Sequence, residues 1–125
     1  IPNTSTRHLE SWANNVMVAT LGVLAMAANG ALNAKFGANG APHKDSDPKR
    51  RALRCIWHMI RCAFAHPSIG IPTWNCYKDY QDVFKVSSIT LDTRALNGQT
   101  FAIDHLGGWE SIRVLLEETE RILAS

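Results

Sequence analysis

The longest pattern in the chain is an uncharged run of apolar and small residues at positions 11–34. A serine or threonine at positions 4–6 can cap a helix that leads into this run, and Gly37 can end it. These signals predict a first helix from residue 5 or 6 to Phe36. Because no charged side chain interrupts the run, we expect this helix to be buried on most of its circumference.

The same run is long enough for a membrane-spanning helix, which needs about 20 predominantly apolar residues. Asparagine interrupts it at positions 14, 15, 29 and 33, and many alanines and glycines lower its hydropathy. We therefore expect no membrane partner. The small side chains favour close approach of another helix, in a bundle or at a dimer interface. Surplus apolar surface on this helix predicts a twofold homodimer.

A second helix has clear start and stop signals. Asp47 can cap it, Pro48 fits the first helical position, and Pro67 disfavours helical geometry at His66. The pattern therefore predicts a helix over residues 48–65. Its buried face is predicted from apolar residues at helical spacing, which are Leu53, Ile56 or Trp57, Ile60 and Phe64.

The segment that follows, residues 67–83, contains two prolines and a glycine and is predicted to be a loop. Its aromatic residues nevertheless have the spacing of one face of a short helix. These residues, together with the next aromatic, are Trp74, Tyr77, Tyr80 and Phe84.

A β-hairpin is predicted next. Phe84 and Val86 alternate with polar residues, and Ile89 and Leu91 alternate on the opposite parity, which implies a bulge or break at residues 87–88. The Asn-Gly pair at positions 97–98 is a strong turn signal, and residues 100–103 are predicted to form the return strand.

A last helix is predicted from Gly108 to Leu123, with a buried stripe at helical spacing. The stripe consists of Trp109, Ile112, Leu115 or Leu116, Thr119 and Ile122. The order of elements is then α, α, β, β, α. The sequence predicts a mostly α (α+β) fold, a small helical bundle with an added β-hairpin and a C-terminal helix.

Composition adds limits to this picture. The 125 residues are 46% hydrophobic and 19% charged, which fits one ordinary globular domain covering residues 1–125. The net charge of +2 is too small to indicate a nucleic-acid partner by itself. Cys55 and Cys62 lie seven residues apart on one predicted helix and cannot form a disulfide. Three unpaired cysteines favour a reducing compartment, and we expect a cytoplasmic protein.

Basic residues share one face of the second helix because they are spaced by four, four and three. They are Arg50, Arg54, His58 and Arg61. Arginine offers a fixed fork of donors for phosphate, and histidine transfers protons near neutral pH. The alternative is a solvated face that is paired with acidic residues such as Asp45, Asp47 or Glu117.

The end of this helix, Arg61-Cys-Ala-Phe-Ala-His66 followed by Pro67, resembles the signature of HEPN domains. These are small α-helical proteins whose motif is an arginine, four to six residues and then a histidine. The preceding apolar helix is similar too. Two later features also resemble uncharacterised bacterial HEPN-like proteins. They are the turn at residues 96–98 and the glycine pair at residues 107–108 before a last helix.

The resemblance implies a bundle of HEPN type and an activity on RNA. Many members are metal-independent endoribonucleases of toxin or defence type, and they usually form homodimers. Arg61 would then bind and polarise the scissile phosphate, and His66 would act as general acid or base. Arg50, Arg54 and His58 would contact the substrate. RNA and a second copy are the implied partners, together with an antitoxin or another protein, and no cofactor is implied.

Two alternatives stay open beside the nuclease. Some HEPN members are non-catalytic modules that bind RNA or protein, and Cys62 stands where active members often carry Asn, Asp or His. In a purely structural or ligand-binding bundle, Arg61 and His66 would serve only packing. A metal site is not expected. The candidate ligands Cys55, His58, Cys62 and His66 span about 16 Å along one helix and cannot converge on one ion.

Overall fold

The computed structural model of the chain describes residues 4–65 and 71–125, and side chains from residue 8 onward. The fold is mostly α with a small β part, as predicted. Its main elements are α1 (Thr4–Phe36), α2 (Pro48–Ala65), β1 (Val83–Val86), β2 (Ile89–Asp92) and α3 (Trp109–Ala124). Short 3-10 turns connect them at Gly37–Asn39, Pro42–Lys44, Lys78–Tyr80 and Ile103–Leu106.

Helix α1 has the predicted length, but only its C-terminal half packs against the rest of the chain. Its buried residues, at the spacing of one helical face, are Leu21, Ala25, Ala28 and Leu32. The expectation of burial on most of its circumference is wrong, because residues 8–17 are exposed. The reason is length. A helix of 33 residues is about 50 Å long, whereas the 18 residues of α2 cover about 27 Å.

By length and composition alone, one stretch of the described chain, residues 8–39, qualifies to cross a membrane. Its mean hydropathy is 1.6, and 33% of the most apolar window is buried. The core helix of a soluble protein passes the same test, so this finding is weak support for a membrane span.

Helix α2 is the centre of the core. Its predicted start is confirmed, and it is helical through Ala65, the last residue described before residue 71. Asp47 Oδ1 accepts hydrogen bonds from the backbone amides of Lys49 and Arg50 at 3.0 and 3.1 Å, so the predicted N-cap forms. Pro48 occupies the first helical position. Of the predicted core face, Phe64 is partly buried and the others are fully buried, namely Leu53, Ile56, Trp57 and Ile60.

The β-hairpin is present, but its predicted turn and return strand are wrong. Strand β1 pairs antiparallel with β2, and Val86 lies opposite Ile89. Residues 87–88 therefore form the turn itself, with Ser87 in the left-handed region at φ 53°. The apolar residues change from even to odd positions there because the chain leaves one strand and enters another, and not because one strand contains a bulge. Two-residue turns of this kind favour positive φ, and serine does not signal it as Asn-Gly does.

The Asn97-Gly98 pair does form a turn, but this turn lies within a loop and does not join two strands of a hairpin. The Gly98 amide donates to the carbonyl of Trp74 at 2.9 Å, and the Asn97 side chain accepts from the Cys76 amide at 3.0 Å. Residues 100–103 are not a strand, since Thr100 forms only a single bridge, with Thr73. The loop is therefore tied down through its backbone.

The short helix that aromatic spacing suggested between Trp74 and Phe84 does not form. Only one 3-10 turn, Lys78–Tyr80, is present there. Trp74 and Tyr80 are buried, but Tyr77 is 64% exposed. The spacing of three and four occurs in an irregular segment and does not indicate a helix there. The loop prediction is confirmed for residues 71–82.

Helix α3 packs against α1 and α2, and its predicted boundaries are confirmed within one residue. Trp57 Nε1 on α2 donates to Thr119 Oγ1 at 2.8 Å. Lys35 at the end of α1 donates through Nζ to the carbonyls of Leu123 and Ser125 at 2.7 and 2.6 Å. This ammonium group satisfies carbonyls that the last turn of a helix leaves without partners.

Candidate functional site

The basic face of α2 divides into two halves, and its N-terminal half is occupied by one buried acid. Asp45 is 1% exposed and lies between Arg50 and Arg54. Arg50 donates to both carboxylate oxygens at 2.8 Å, and Arg54 Nη1 donates to Oδ2 at 2.8 Å. Burial alone would raise the pKa of Asp45, but the hydrogen bonds from the two arginines lower it well below its usual range.

Arg54 is the most enclosed member of this face, with 1% exposure. Its Nη2 also donates to Asn33 Oδ1 on α1 and to the carbonyl of Gly40, both at 3.1 Å. The guanidinium therefore ties α1, the loop and α2 together, and it is closed to a ligand in this arrangement. Of the other acids weighed as partners, Asp47 caps α2 and Glu117 pairs with Arg113.

Arg61 belongs to the C-terminal half of the face and behaves differently. It is partly exposed, and its guanidinium makes no hydrogen bond or ion pair with any residue in ranges 4–65 and 71–125. The other arginines of α2 all have acceptors, since Arg51 donates to the backbone carbonyl of Asp45 at 2.9 Å. Arg61 is thus a cation that this part of the chain does not neutralise.

His58, one turn before Arg61, is held in a cluster of polar and aromatic side chains. Its ring stacks on Tyr80 with centroids 4.8 Å apart, and its Nε2 lies 3.5 Å from Cys62 Sγ. Burial lowers the pKa of His58, and the nearby charge of Arg61 lowers it further. His58 is therefore a neutral imidazole at physiological pH, able to donate or accept a hydrogen bond.

The cluster continues into two loops that the sequence did not connect to α2. Tyr80 OH lies 3.0 Å from His43 Nδ1, and His43 Nε2 lies 3.7 Å from Asp79 Oδ2. Burial raises the pKa of Tyr80 to about 12, so its hydroxyl stays protonated. His43 and Tyr80 are 37 residues apart, and no local pattern brings such loops together in a sequence.

The three cysteines are free and buried. Burial raises the pKa of Cys62, and it raises that of Cys76 to about 11 and that of Cys55 to about 12. A thiol with a raised pKa is a poor nucleophile at neutral pH. Across the described part of the chain, no group of three or more His, Cys, Asp or Glu side chains is arranged to hold a metal ion.

His66, the predicted partner of Arg61, lies outside the described residues, as does Pro67. Helix α2 is described to Ala65, so the last described turn carries Arg61 and leads directly to the predicted histidine. The pairing of Arg61 with His66 stays a prediction.

A cavity of about 570 Å³ lies beside the same end of α2. Phe64 and Phe101 line it with their rings 5.2 Å apart, and the Asn14 and Asn15 amides of α1 contribute polar atoms. Ile71, the first described residue after the gap, also lines it. Aromatic rings beside amide groups are a lining that can take a planar ring with hydrogen-bonding edges.

Comparison of the chain with protein-family models, with curated protein sequences and with solved structures finds no match. The HEPN resemblance therefore rests on sequence features alone, which are the motif at the end of α2 and its surroundings.

Proposed function

We propose that this protein acts on RNA as a metal-independent endoribonuclease, with Arg61 and His66 as its working pair. The observation that carries the proposal is the division of the basic face of α2. Arg50, Arg51 and Arg54 all have acceptors within the protein, whereas Arg61 has none among the described residues. A partly buried guanidinium without an internal acceptor is suited to an anion from outside, and a phosphate matches its fork of donors.

The chemistry needs no group beyond these side chains. His66 takes the proton of a ribose 2′-hydroxyl, and the 2′-oxygen attacks the neighbouring phosphorus. Arg61 holds the non-bridging oxygens, where negative charge develops. The bond from phosphorus to the 5′-oxygen breaks, and the imidazolium that His66 became in the first step returns its proton to the leaving 5′-oxygen. The products are a 2′,3′-cyclic phosphate and a 5′-hydroxyl.

The geometry of a helix sets a condition on this pair. Five residues on an uninterrupted helix place two side chains about 140° apart, too far for both to reach one phosphate. Pro67 disfavours a helical conformation at His66, so the chain has the means to turn the imidazole toward Arg61. The other solution is donation of His66 from a second copy of the chain.

The cavity beside the C-terminal end of α2 supports an RNA substrate in particular. The cavity beside Phe64 and Phe101 offers rings for stacking on a base and the Asn14 and Asn15 amides for its edges. Stacking on aromatic side chains is how proteins commonly take up unpaired bases. His58 is neutral and can contact a ribose or a phosphate without adding charge. Arg50 and Arg54 support the site only indirectly, through Asp45.

The test is cleavage of mixed RNAs by the purified protein, with and without EDTA. We expect cleavage that EDTA does not change. His66→Ala removes proton transfer and should slow cleavage by about 10²- to 10⁴-fold, with RNA affinity nearly intact. Arg61→Lys should also lose activity because an ammonium group cannot reproduce the planar fork. The matched control is Arg94→Lys, on an exposed arginine paired with Asp92, and it should leave cleavage unchanged.

The second candidate is a non-catalytic module that binds RNA or a protein. The observation that favours it is Cys62, whose thiol is buried against His58 and is a weak hydrogen-bond partner for a reacting group. If the parent binds RNA through Arg61 but does not cleave it, the module replaces the enzyme. Cleavage that survives His66→Ala unchanged contradicts the mechanism, and absence of both binding and cleavage contradicts both functions.

A further inference from the structure

The hairpin leaves one edge of strand β1 open. Two antiparallel strands exchange backbone hydrogen bonds at every second residue. The Thr93 amide donates to the Asp82 carbonyl at 2.9 Å, and the pairing that follows contains no bulge. The bonded positions of this segment are therefore 82, 84 and 86. The backbone groups of Val83 and Lys85 point away from β2.

These outward backbone groups have few partners. The Val83 amide donates to Asp82 Oδ1 at 2.7 Å. The Val83 carbonyl and both backbone groups of Lys85 make no hydrogen bond with residues 4–65 or 71–125 outside the hairpin. Free donors and acceptors along a strand edge are a template for pairing with another extended chain.

A cavity of about 230 Å³ lies along this edge. Of the described residues, the consecutive positions 82–85 line it and none of β2 does. Because consecutive side chains of a strand alternate between its faces, a space that contacts all four lies beside the strand. Its other wall is the start of α2, with Pro48, Arg51 and Ala52. We call this space, between the open edge and the helix, the β1 groove.

Two cations that line the β1 groove have unused donors. Lys85 is exposed, and its ammonium group makes no ion pair or hydrogen bond with any described residue. Arg51 uses Nη1 for the Asp45 carbonyl, and its other donors have no acceptor in the described part of the chain. One acid, Asp82, lines the groove as well, and its Oδ1 accepts from the Val83 amide. The groove therefore has an excess of positive charge.

We propose that the β1 groove binds an extended acidic segment of another protein, which pairs with β1 as a third strand. The residue of this segment opposite Lys85 has its side chain on the same face of the sheet, where a carboxylate meets the ammonium group. The residues before and after it point to the other face, toward Pro48 and Ala52, and favour apolar side chains. The inference does not rest on Arg61 or on the proposed action on RNA.

Lys85 also argues against a second copy of this chain as the occupant. Two β1 edges paired antiparallel would put their Lys85 side chains opposite or diagonal to each other, and like charges there destabilise the pair. A lysine on a short exposed strand is a common guard against such self-pairing. The same lysine attracts an acidic strand, so it discriminates between the two occupants.

The test is binding of a synthetic peptide of about eight residues, alternating glutamate and valine with blocked ends, to the ¹⁵N-labelled protein. We expect a dissociation constant of about 100 µM or lower, measured by NMR titration. The amide proton of Lys85 should move downfield because it gains an acceptor. The amide protons of Phe84 and Val86 should move less, since β2 already provides their acceptors.

Charge reversal tests the recognition. Lys85→Glu should weaken binding of the glutamate peptide by at least about 10-fold, and a peptide with lysine in place of glutamate should then bind better than it binds the parent. The matched control is Lys78→Glu, the same change at an exposed lysine outside the groove, which should bind like the parent. Far-ultraviolet circular dichroism checks that both variants fold. A glutamate peptide that is N-methylated at every residue keeps its charges but has no backbone donors, and it should not bind.

Four outcomes overturn the proposal. The first is no binding of the glutamate peptide at concentrations up to about 1 mM. The second is equal binding of the N-methylated peptide, or equal weakening by Lys78→Glu and Lys85→Glu, which leaves only general attraction between charges. The third is a Lys85 amide shift that follows protein concentration without peptide, which assigns the edge to a second copy. The fourth is a shift with oligouridine and none with the peptide, which makes the groove a phosphate site.

Discussion

Asp45 is the residue on which the polar contacts of the interior converge. Its carboxylate accepts from Arg50, from Arg54 and from the backbone amide of Asp47, and its carbonyl accepts from Arg51. The charges are buried together, and each group depends on the others for its hydrogen bonds. Removing the acid would leave a buried guanidinium without compensation, which is costly in a medium of low polarity.

Asp45→Asn should therefore lower the free energy of unfolding by about 3–5 kcal/mol, measured by urea denaturation at pH 7. Lowering the pH of the parent protein should test the same contribution of Asp45 to the free energy of unfolding. Because the folded-state pKa of Asp45 lies below its value in the unfolded chain, its contribution is present above about pH 4 and is lost as pH falls through the folded-state pKa.

The acid-dependent part of the stability should be smaller in Asp45→Asn than in the parent. Asp92→Asn is the control, since Asp92 forms an exposed pair with Arg94 and its loss should shift the urea midpoint little. Equal effects of the two substitutions would show that Asp45 is not the interior anchor.

The sequence correctly placed Arg50, Arg54, His58 and Arg61 on one face, because helical periodicity alone decides that. It did not separate the half that binds Asp45 from the half that stays open. That division depends on the 3-10 turn Pro42–Lys44, which brings Asp45 against α2. The path of such a loop cannot be predicted from a local sequence pattern. The contact of His43 with Tyr80 was missed for the same reason.

At the scale of elements, α2 packs tightly against α1 at Gly22 and Phe64. A Cβ atom added at Gly22 would lie 2.7 Å from Phe64 Cδ1 and 3.2 Å from Phe64 Cβ, too close for an ordinary contact. Because Gly22 has no side chain, Phe64 can lie close to α1. The end of α2 that carries Arg61 is thereby also held close to α1. At Gly30 an added Cβ meets nothing within 4 Å.

These two glycines of one helix predict opposite effects for the same substitution. Gly30→Ala should stabilise the protein by up to about 1 kcal/mol, since alanine favours helix and meets no neighbour. Gly22→Ala gains the same helix propensity but adds an overpacking cost of about 1–3 kcal/mol, so it should be neutral to destabilising. Chemical denaturation of both variants measures the difference.

A third variant tests whether the clash with Phe64 causes the cost of Gly22→Ala. Because the clash is with the ring of Phe64, the penalty of Gly22→Ala should shrink in a Phe64→Leu background. A penalty that stays the same in both backgrounds contradicts the contact between Gly22 and Phe64 as its source.

The elements differ in how well the sequence predicted them. All three helices were predicted, because each has apolar periodicity and at least one end signal. The helix ends that do not border an undescribed segment lie within one residue of the predicted ends. The hairpin was predicted with the wrong turn. Both Ser87-Ser88 and Asn97-Gly98 are turns, but only long-range pairing decides which of them joins two strands, and the stronger local signal was the misleading one.

At the scale of the whole molecule, the core is compact at one end and α1 extends beyond it at the other. The C-terminal half of α1, α2, α3 and the hairpin share the buried residues, whereas residues 8–17 contribute none. The sequence did not predict this asymmetry. Composition showed that the run at 11–34 is apolar, but only the lengths of the neighbouring elements decide which part of it they cover.

This extension of α1 has a consequence for hydrogen exchange. Helical turns without tertiary packing are held by local hydrogen bonds alone, which are marginal in water, so they fray and exchange their amides rapidly. In dilute solution, deuterium uptake in α1 should fall steeply from Trp12 toward Leu32, as measured by mass spectrometry of peptides. The boundary between fast and slow exchange should lie near Leu21, the first buried apolar residue of α1. The N-terminal half of α1 would then open and close many times for each unfolding of the core.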